Sequence, residues 1–135
     1  MNYKTAIAAG FALFTVCGSA LANCTFHWEH YGNAQVYKII DQNIGNKVTD
    51  EYCAKLNKTH EIVIITDAFN DVRRTLVHVA VGFRKRGSND YPIKNLSAYK
   101  FEDGNFVVGK KYQMAADLAL ETLMDAMSAP DDVLN

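Results

Sequence analysis

Alternation with a period of two is sharpest at residues 75–83. Val77, Val79, Val81 and Phe83 fall on one side, and Leu76, His78, Ala80 and Gly82 on the other. That period belongs to a β-strand. Upstream, residues 61–66 are apolar at consecutive positions, Ile62-Val63-Ile64-Ile65. A strand wetted on one side alternates, so this one is expected to be covered on both faces. The cover would be the N-terminal segment or a partner. A polar break at Asn70-Asp71 separates the two runs, which predicts a long β-hairpin around which the chain folds.

Helical spacing appears on either side of the hairpin. Val36, Ile39, Ile40 and Ile44 recur at intervals of three and four behind a capping Asn33, and Gly45-Asn46 ends the run. A second, short helix starts at Thr49, a good N-cap. Asp50 and Glu51 stand in its first turn, and Tyr52, Cys53 and Leu56 form its inner side. Residues 23–32 fit neither period, so strand and helical turn both remain open there.

Downstream, residues 84–95 read as a long polar connection. Asp103-Gly104 predicts a tight turn of a second hairpin, with Phe101 opposite Phe106 and Tyr99 opposite Val108, all four facing inward. Residues 110–127 form an amphipathic helix, with Ala115, Ala116, Ala119 and Leu123 inside and Lys110, Gln113, Asp117, Glu121, Asp125 and Ser128 along one polar stripe. Residues 129–135 are expected to be a loose acidic tail. The fold expected is α+β. An antiparallel sheet of about four strands, built from two hairpins, packs against the C-terminal helix, with short N-terminal helices beside it.

The N-terminus adds a location. Lys4, an apolar run over residues 6–16 and Ala20-Leu21-Ala22 have the order of an export signal cleaved after Ala22. The run is too short for a permanent membrane span. Residues 1–22 are therefore expected to be removed, leaving one domain over residues 23–135. No second long apolar run follows, so no stable membrane anchor is expected. The protein should end in the periplasm or outside the cell. Cys17 leaves with the signal, and Cys24 and Cys53 remain as an even pair. In an oxidising compartment that predicts a disulfide.

Charge is mild overall, with 14 Lys plus Arg against 15 Asp plus Glu. It gives no bulk argument for a nucleic-acid or membrane partner. The alanine-rich run Gly109-Lys110-Lys111 through Ala115-Ala116-Asp117-Leu118-Ala119-Leu120 loosely resembles the closing helix of double-stranded RNA-binding domains. That family grips phosphates with a lysine cluster. Here Lys110 and Lys111 stand alone and acids follow, so no nucleic-acid partner is expected.

Candidate chemistry is sparse. His27 and His30, with Glu29 between them, are the weak candidates for a metal. They lack the His-Glu-x-x-His spacing, and zinc wants three or four ligands. His78 has no serine elbow or other nucleophile signature beside it. No cofactor motif occurs, so no cofactor is expected. The basic set Arg73, Arg74, Arg84, Lys85 and Arg86, with Tyr91 nearby, suits either a contact surface or a guard against aggregation at the strand ends. Asp117, Glu121 and Asp125 could steer a basic partner or simply face water.

The expected function is recognition of another protein by a small exported protein, such as an inhibitor, an immunity factor or an envelope accessory. A homodimer through an open sheet face is a further expectation. The alternative is a small metal-dependent or hydrolytic enzyme using His27, His30 and His78.

Overall fold

A computed structural model describes residues 24–104 and 109–134. In chain order the elements are β1 (Trp28–Tyr31), α1 (Ala34–Asn43), a 3-10 turn (Ile44–Asn46), α2 (Asp50–Lys55), β2 (His60–Asn70), β3 (Arg74–Lys85), β4 (Leu96–Asp103), α3 (Lys110–Ser128) and a second 3-10 turn (Pro130–Asp132). The fold is α+β. Among the described residues the sheet has four strands in the order β1-β2-β3-β4.

The caps are those that the side chains dictate. Asn33 accepts a hydrogen bond from the Gln35 N–H, and Thr49 Oγ1 accepts one from the Tyr52 N–H. Each satisfies a donor that the first helical turn leaves free.

β2 and β3 form the expected hairpin, with Ile64 opposite Val81 and Phe69 opposite Leu76. The sheet is mixed rather than wholly antiparallel. β1, the segment whose conformation was open, runs parallel to β2, with Trp28 beside Ile62 and Tyr31 beside Ile65. A parallel neighbour needs a long crossover, and α1 and α2 supply it. The expected partner strand of the second hairpin, residues 105–108, lies outside the described residues. β4 pairs antiparallel with β3 along one edge, Tyr99 beside His78 and Phe101 beside Leu76.

All three helices pack on one face of the sheet, making two layers around one core. That inner face carries Ile62, Ile64, Val77, Val79, Val81 and Phe83, which meet Val36, Ile40, Tyr52, Ala115, Ala119 and Leu123. On α3, Ala115, Ala116, Ala119 and Leu123 are buried as expected. Met124 turns outward, while Met114 and Ala126 turn in. The tail is not loose: Val133 is fully buried and Leu134 packs against the core. Small apolar side chains close to a helix end gain more from burial than their short tether costs.

The disulfide joins Cys24 to Cys53 with Cα atoms 5.6 Å apart. It fastens the chain before β1 to α2. Among the described residues no helix is long and apolar enough to cross a membrane.

Candidate functional site: the outer face of the sheet

The outer face, turned away from the helices, falls into two halves. Over one half lies the connection between β3 and β4. Gly82 makes this cover fit. A Cβ there would stand 2.6 Å from Pro92 Cβ and 2.8 Å from the Lys94 carbonyl oxygen. A glycine inside a strand often marks such close backbone approach. Val63, opposite Gly82, is thereby buried. The second cover of the apolar strand β2 is thus this connection, and neither the N-terminal segment nor a partner is needed there.

Arg84 pins the same half. Only 3% of its side chain is exposed, so it is not the surface residue that its place in the basic set suggested. Its Nε donates to Glu61 Oε1 at 2.6 Å, and its Nη2 lies 2.7 Å from Glu29 Oε2. Its Nη1 donates to Tyr31 Oη at 3.2 Å and to the Asp90 carbonyl at 3.3 Å. Tyr31 Oη donates in turn to Glu29, and the Tyr31 and Tyr91 rings meet at 4.9 Å. Burial works against the Arg84 charge, but bonds to Tyr31, Glu61 and Glu29 outweigh it and hold the guanidinium firmly protonated. Bonds from Tyr31 and then Arg84 hold the Glu29 carboxyl below its ordinary range. No local pattern along the chain announces this network, because its members come from β1, β2, β3 and the connection.

The other half is bare. Phe69, Leu76 and Phe101 lie side by side in register across β2, β3 and β4. They are 61%, 41% and 56% exposed, and Tyr99 beside them is 73% exposed. Tyr99 and Phe101 were expected to face inward; they face out. The pairing of β4 with β3 decides this. It sets them beside His78 and Leu76, on the side of β3 opposite Val77 and Val79. Lys100 and Glu102 take the inner side at that end, and Lys110 reaches Glu102 at 2.8 Å.

Charges flank the row in pairs. Arg74 Nε bonds Asp103 Oδ1 at 2.8 Å, and its guanidinium lies 5.8 Å from the centre of the Phe101 ring. Asp71 accepts from the Arg73 and Arg74 N–H groups, which lowers its pKa. On the row's other side His78 Nδ1 lies 3.7 Å from Asp67. Val72 protrudes at the hairpin tip and is exposed.

The remaining predicted residues are scattered. Arg73 and Arg74 stand at one end of β3, and Lys85 and Arg86 at the other, roughly 40 Å away along the strand direction. They do not make one basic surface. Arg86 is occupied by Asn57 Oδ1 and the His60 carbonyl. Tyr91 is exposed but leans on Tyr31. Asp117, Glu121 and Asp125 lie exposed on α3, across the molecule from the bare face, and Gln113 donates to Asp117.

The histidines do not converge. His30 sits on β1 level with Ile64, on the inner side, with Nε2 2.7 Å from Thr66 Oγ1. His78 is on the outer face. His27 lies exposed before β1, where its carbonyl accepts from the Ile62 N–H. That level is five positions from Asp67, about 17 Å along the strands. Among the described residues no three His, Cys, Asp or Glu side chains cluster so as to hold a metal.

The chain matches no family model and no curated protein. The functional reading therefore rests on the bare face itself.

Proposed function

We propose that this is an exported binding protein that recognises another protein through the bare half of its outer sheet face. The observation that carries the reading is the row Phe69, Leu76 and Phe101, three large apolar side chains in register and left in water. An aromatic side chain buries about 150–250 Å² when covered, so the row with Tyr99 and Val72 leaves on the order of 400–500 Å² of apolar surface exposed. That lies in the middle of the roughly 300–600 Å² range of the largest patch on a monomer, a patch that is often functional. Such a patch of aromatics beside an arginine has the composition of an interaction hot spot.

Export, with cleavage after Ala22 and release into the periplasm or beyond, is part of the proposal. The Cys24–Cys53 disulfide supports it, since cystines persist in oxidising compartments. Within that setting an inhibitor, an immunity factor or an envelope accessory all fit the binding role.

Crosslinked capture from the envelope of the source cell tests the reading with two variants. One carries Phe69→Asp and Phe101→Asp; the other carries Asp117→Lys, Glu121→Lys and Asp125→Lys. The partner should be lost from the first and kept by the second. Equal capture by both, with unchanged thermal unfolding, overturns the face as the docking surface.

A further inference from the structure

We propose that a cleft between α2 and the C-terminal end of α3 binds a small organic cation, an ammonium group carried on a compact apolar body. The cleft lies at the His60 end of the sheet, where the Leu56 carbonyl accepts from the His60 N–H. Phe69 stands about 30 Å away along β2, so this site is separate from the bare face.

Size and lining set the body of the ligand. The cleft encloses about 180 Å³. A dry apolar cavity of about 150 Å³ holds one benzene ring, so the volume admits a body of about six to eight heavy atoms. It is too small for the drug-sized ligands that fill about 300–1,000 Å³. The floor is apolar. Tyr52 and Met127 there are buried, and Leu56 and Leu134 are half-buried.

Both walls are in place before a ligand arrives. The disulfide holds α2 at Cys53. Beside it the Tyr52 hydroxyl donates to the His60 carbonyl at 3.2 Å, and the Tyr52 ring meets Phe83 at 5.4 Å. The facing wall is the tail. Val133 is fully buried, and its N–H donates to the Pro130 carbonyl at 3.2 Å. A site built in advance spares the ligand the cost of ordering it.

Charge at the mouth selects the head group. Glu51, Lys55 and Asp131 line it. Lys55 is taken by Glu51, Nζ to Oε1 at 2.6 Å, which leaves Asp131 as the carboxylate to be met. The end of α3 adds to its field. That helix has no basic residue in its last turn, and Met127 and Ser128 bring its negative end to the cleft. An anionic head would face both and would have to displace Glu51 from Lys55. An ammonium head carries three donors and meets Asp131 while its body stays on the floor, as the stem of a lysine does on apolar surface.

Three probes with one chain length test the site on the oxidised mature chain at pH 7 and low salt: n-hexylammonium, n-hexanol and n-hexanoate. The readout is the chemical shift of the Leu56, Met127 and Leu134 methyl groups. Hexylammonium should bind about threefold more tightly than hexanol, the size of one exposed charge contact, and hexanoate should bind least. Added salt should shrink the preference. Asp131→Asn, an exposed change, should weaken hexylammonium about threefold and leave hexanol unchanged. Leu134→Phe, which fills the floor, should weaken all three probes. The site is overturned if no probe gives a saturable shift up to its solubility limit, or if the shifts fall on Leu76 rather than Leu56. Equal binding of the three probes, or an Asp131→Asn variant that still prefers hexylammonium as strongly, overturns the choice of a cation.

Discussion

Gly82 on β3 and Pro92 in the following connection are held together by a missing side chain: a Cβ on Gly82 would stand 2.6 Å from Pro92 Cβ. The contact turns a polar connection into the cover of half a sheet face. Gly82→Ala should push that cover off. Overpacking of this kind costs about 1–3 kcal/mol. Urea unfolding should show that loss, and amide exchange should speed up in residues 87–95. A wild-type midpoint for Gly82→Ala would mean that the cover does not depend on the notch.

Arg84 makes a second, electrostatic fastening of the same cover. Replacing it with methionine leaves Glu61, nearly buried, without its cation. Loss of one member of a buried pair costs about 3–5 kcal/mol. The double variant Arg84→Met/Glu61→Leu should recover most of that, because the uncompensated charge is gone. Denaturant titration of the three variants checks this. Equal losses in the single and double variants would show that the arginine acts through shape, not charge. The Glu29 carboxyl also contributes. Its pKa is lowered in the folded state, so its share is present above the ordinary value of 4.5 and is lost as pH falls through the folded value. Glu29 is half exposed, so this share is small.

His30 gives the fold a second pH dependence. Burial lowers its pKa from the ordinary 6.5, and His60 is lowered in the same direction by burial and then by Lys85. The unfolded chain therefore binds protons first as pH falls below about 6.5, and stability declines until the folded pKa values are passed. His30→Gln keeps a side chain able to bond Thr66 but cannot titrate. It should flatten the decline between pH 7 and 5 (roughly the window in which histidine charges). An unchanged slope in thermal melts across that window would assign the effect elsewhere.

Thr75 is fully buried at the end of β3, and its Oγ1 has no hydrogen-bond partner among the described residues. Thr75→Val keeps the shape and removes the unmet hydroxyl. It should stabilise the fold by about 1 kcal/mol, the low end of the cost of an unsatisfied buried polar group. A destabilised variant in thermal unfolding would show that the hydroxyl finds a partner in solution.

Reduction of Cys24–Cys53 should cost about 3–4 kcal/mol, the chain-entropy value for a closed loop of this length. The loss should appear first at β1, which the disulfide ties to α2. Exchange of the amides of Trp28–Tyr31 under reducing and oxidising conditions reads this directly. Equal protection in both states would show that pairing with β2 holds β1 unaided.

The pattern along the chain was enough for everything that depends on neighbours in sequence. Asn33 and Thr49 cap helices because a side-chain oxygen two or three positions away meets a free N–H. The odd-numbered residues 77–83 face the core because a strand alternates. Cys24 and Cys53 pair as the two cysteines among the described residues. The candidate site was less legible, since it depends on which strand lies beside which. Tyr99 and Phe101 have the composition of core residues, and only their register against His78 and Leu76 turns them to water. Arg84 has the composition of a surface residue, and only the arrival of Glu29, Glu61 and Tyr31 from other strands allows its charge to be buried. Local propensity acts over one helical turn or one pleat. The side of a sheet that stays dry is settled by long-range pairing, where a shift of one residue reverses every side chain.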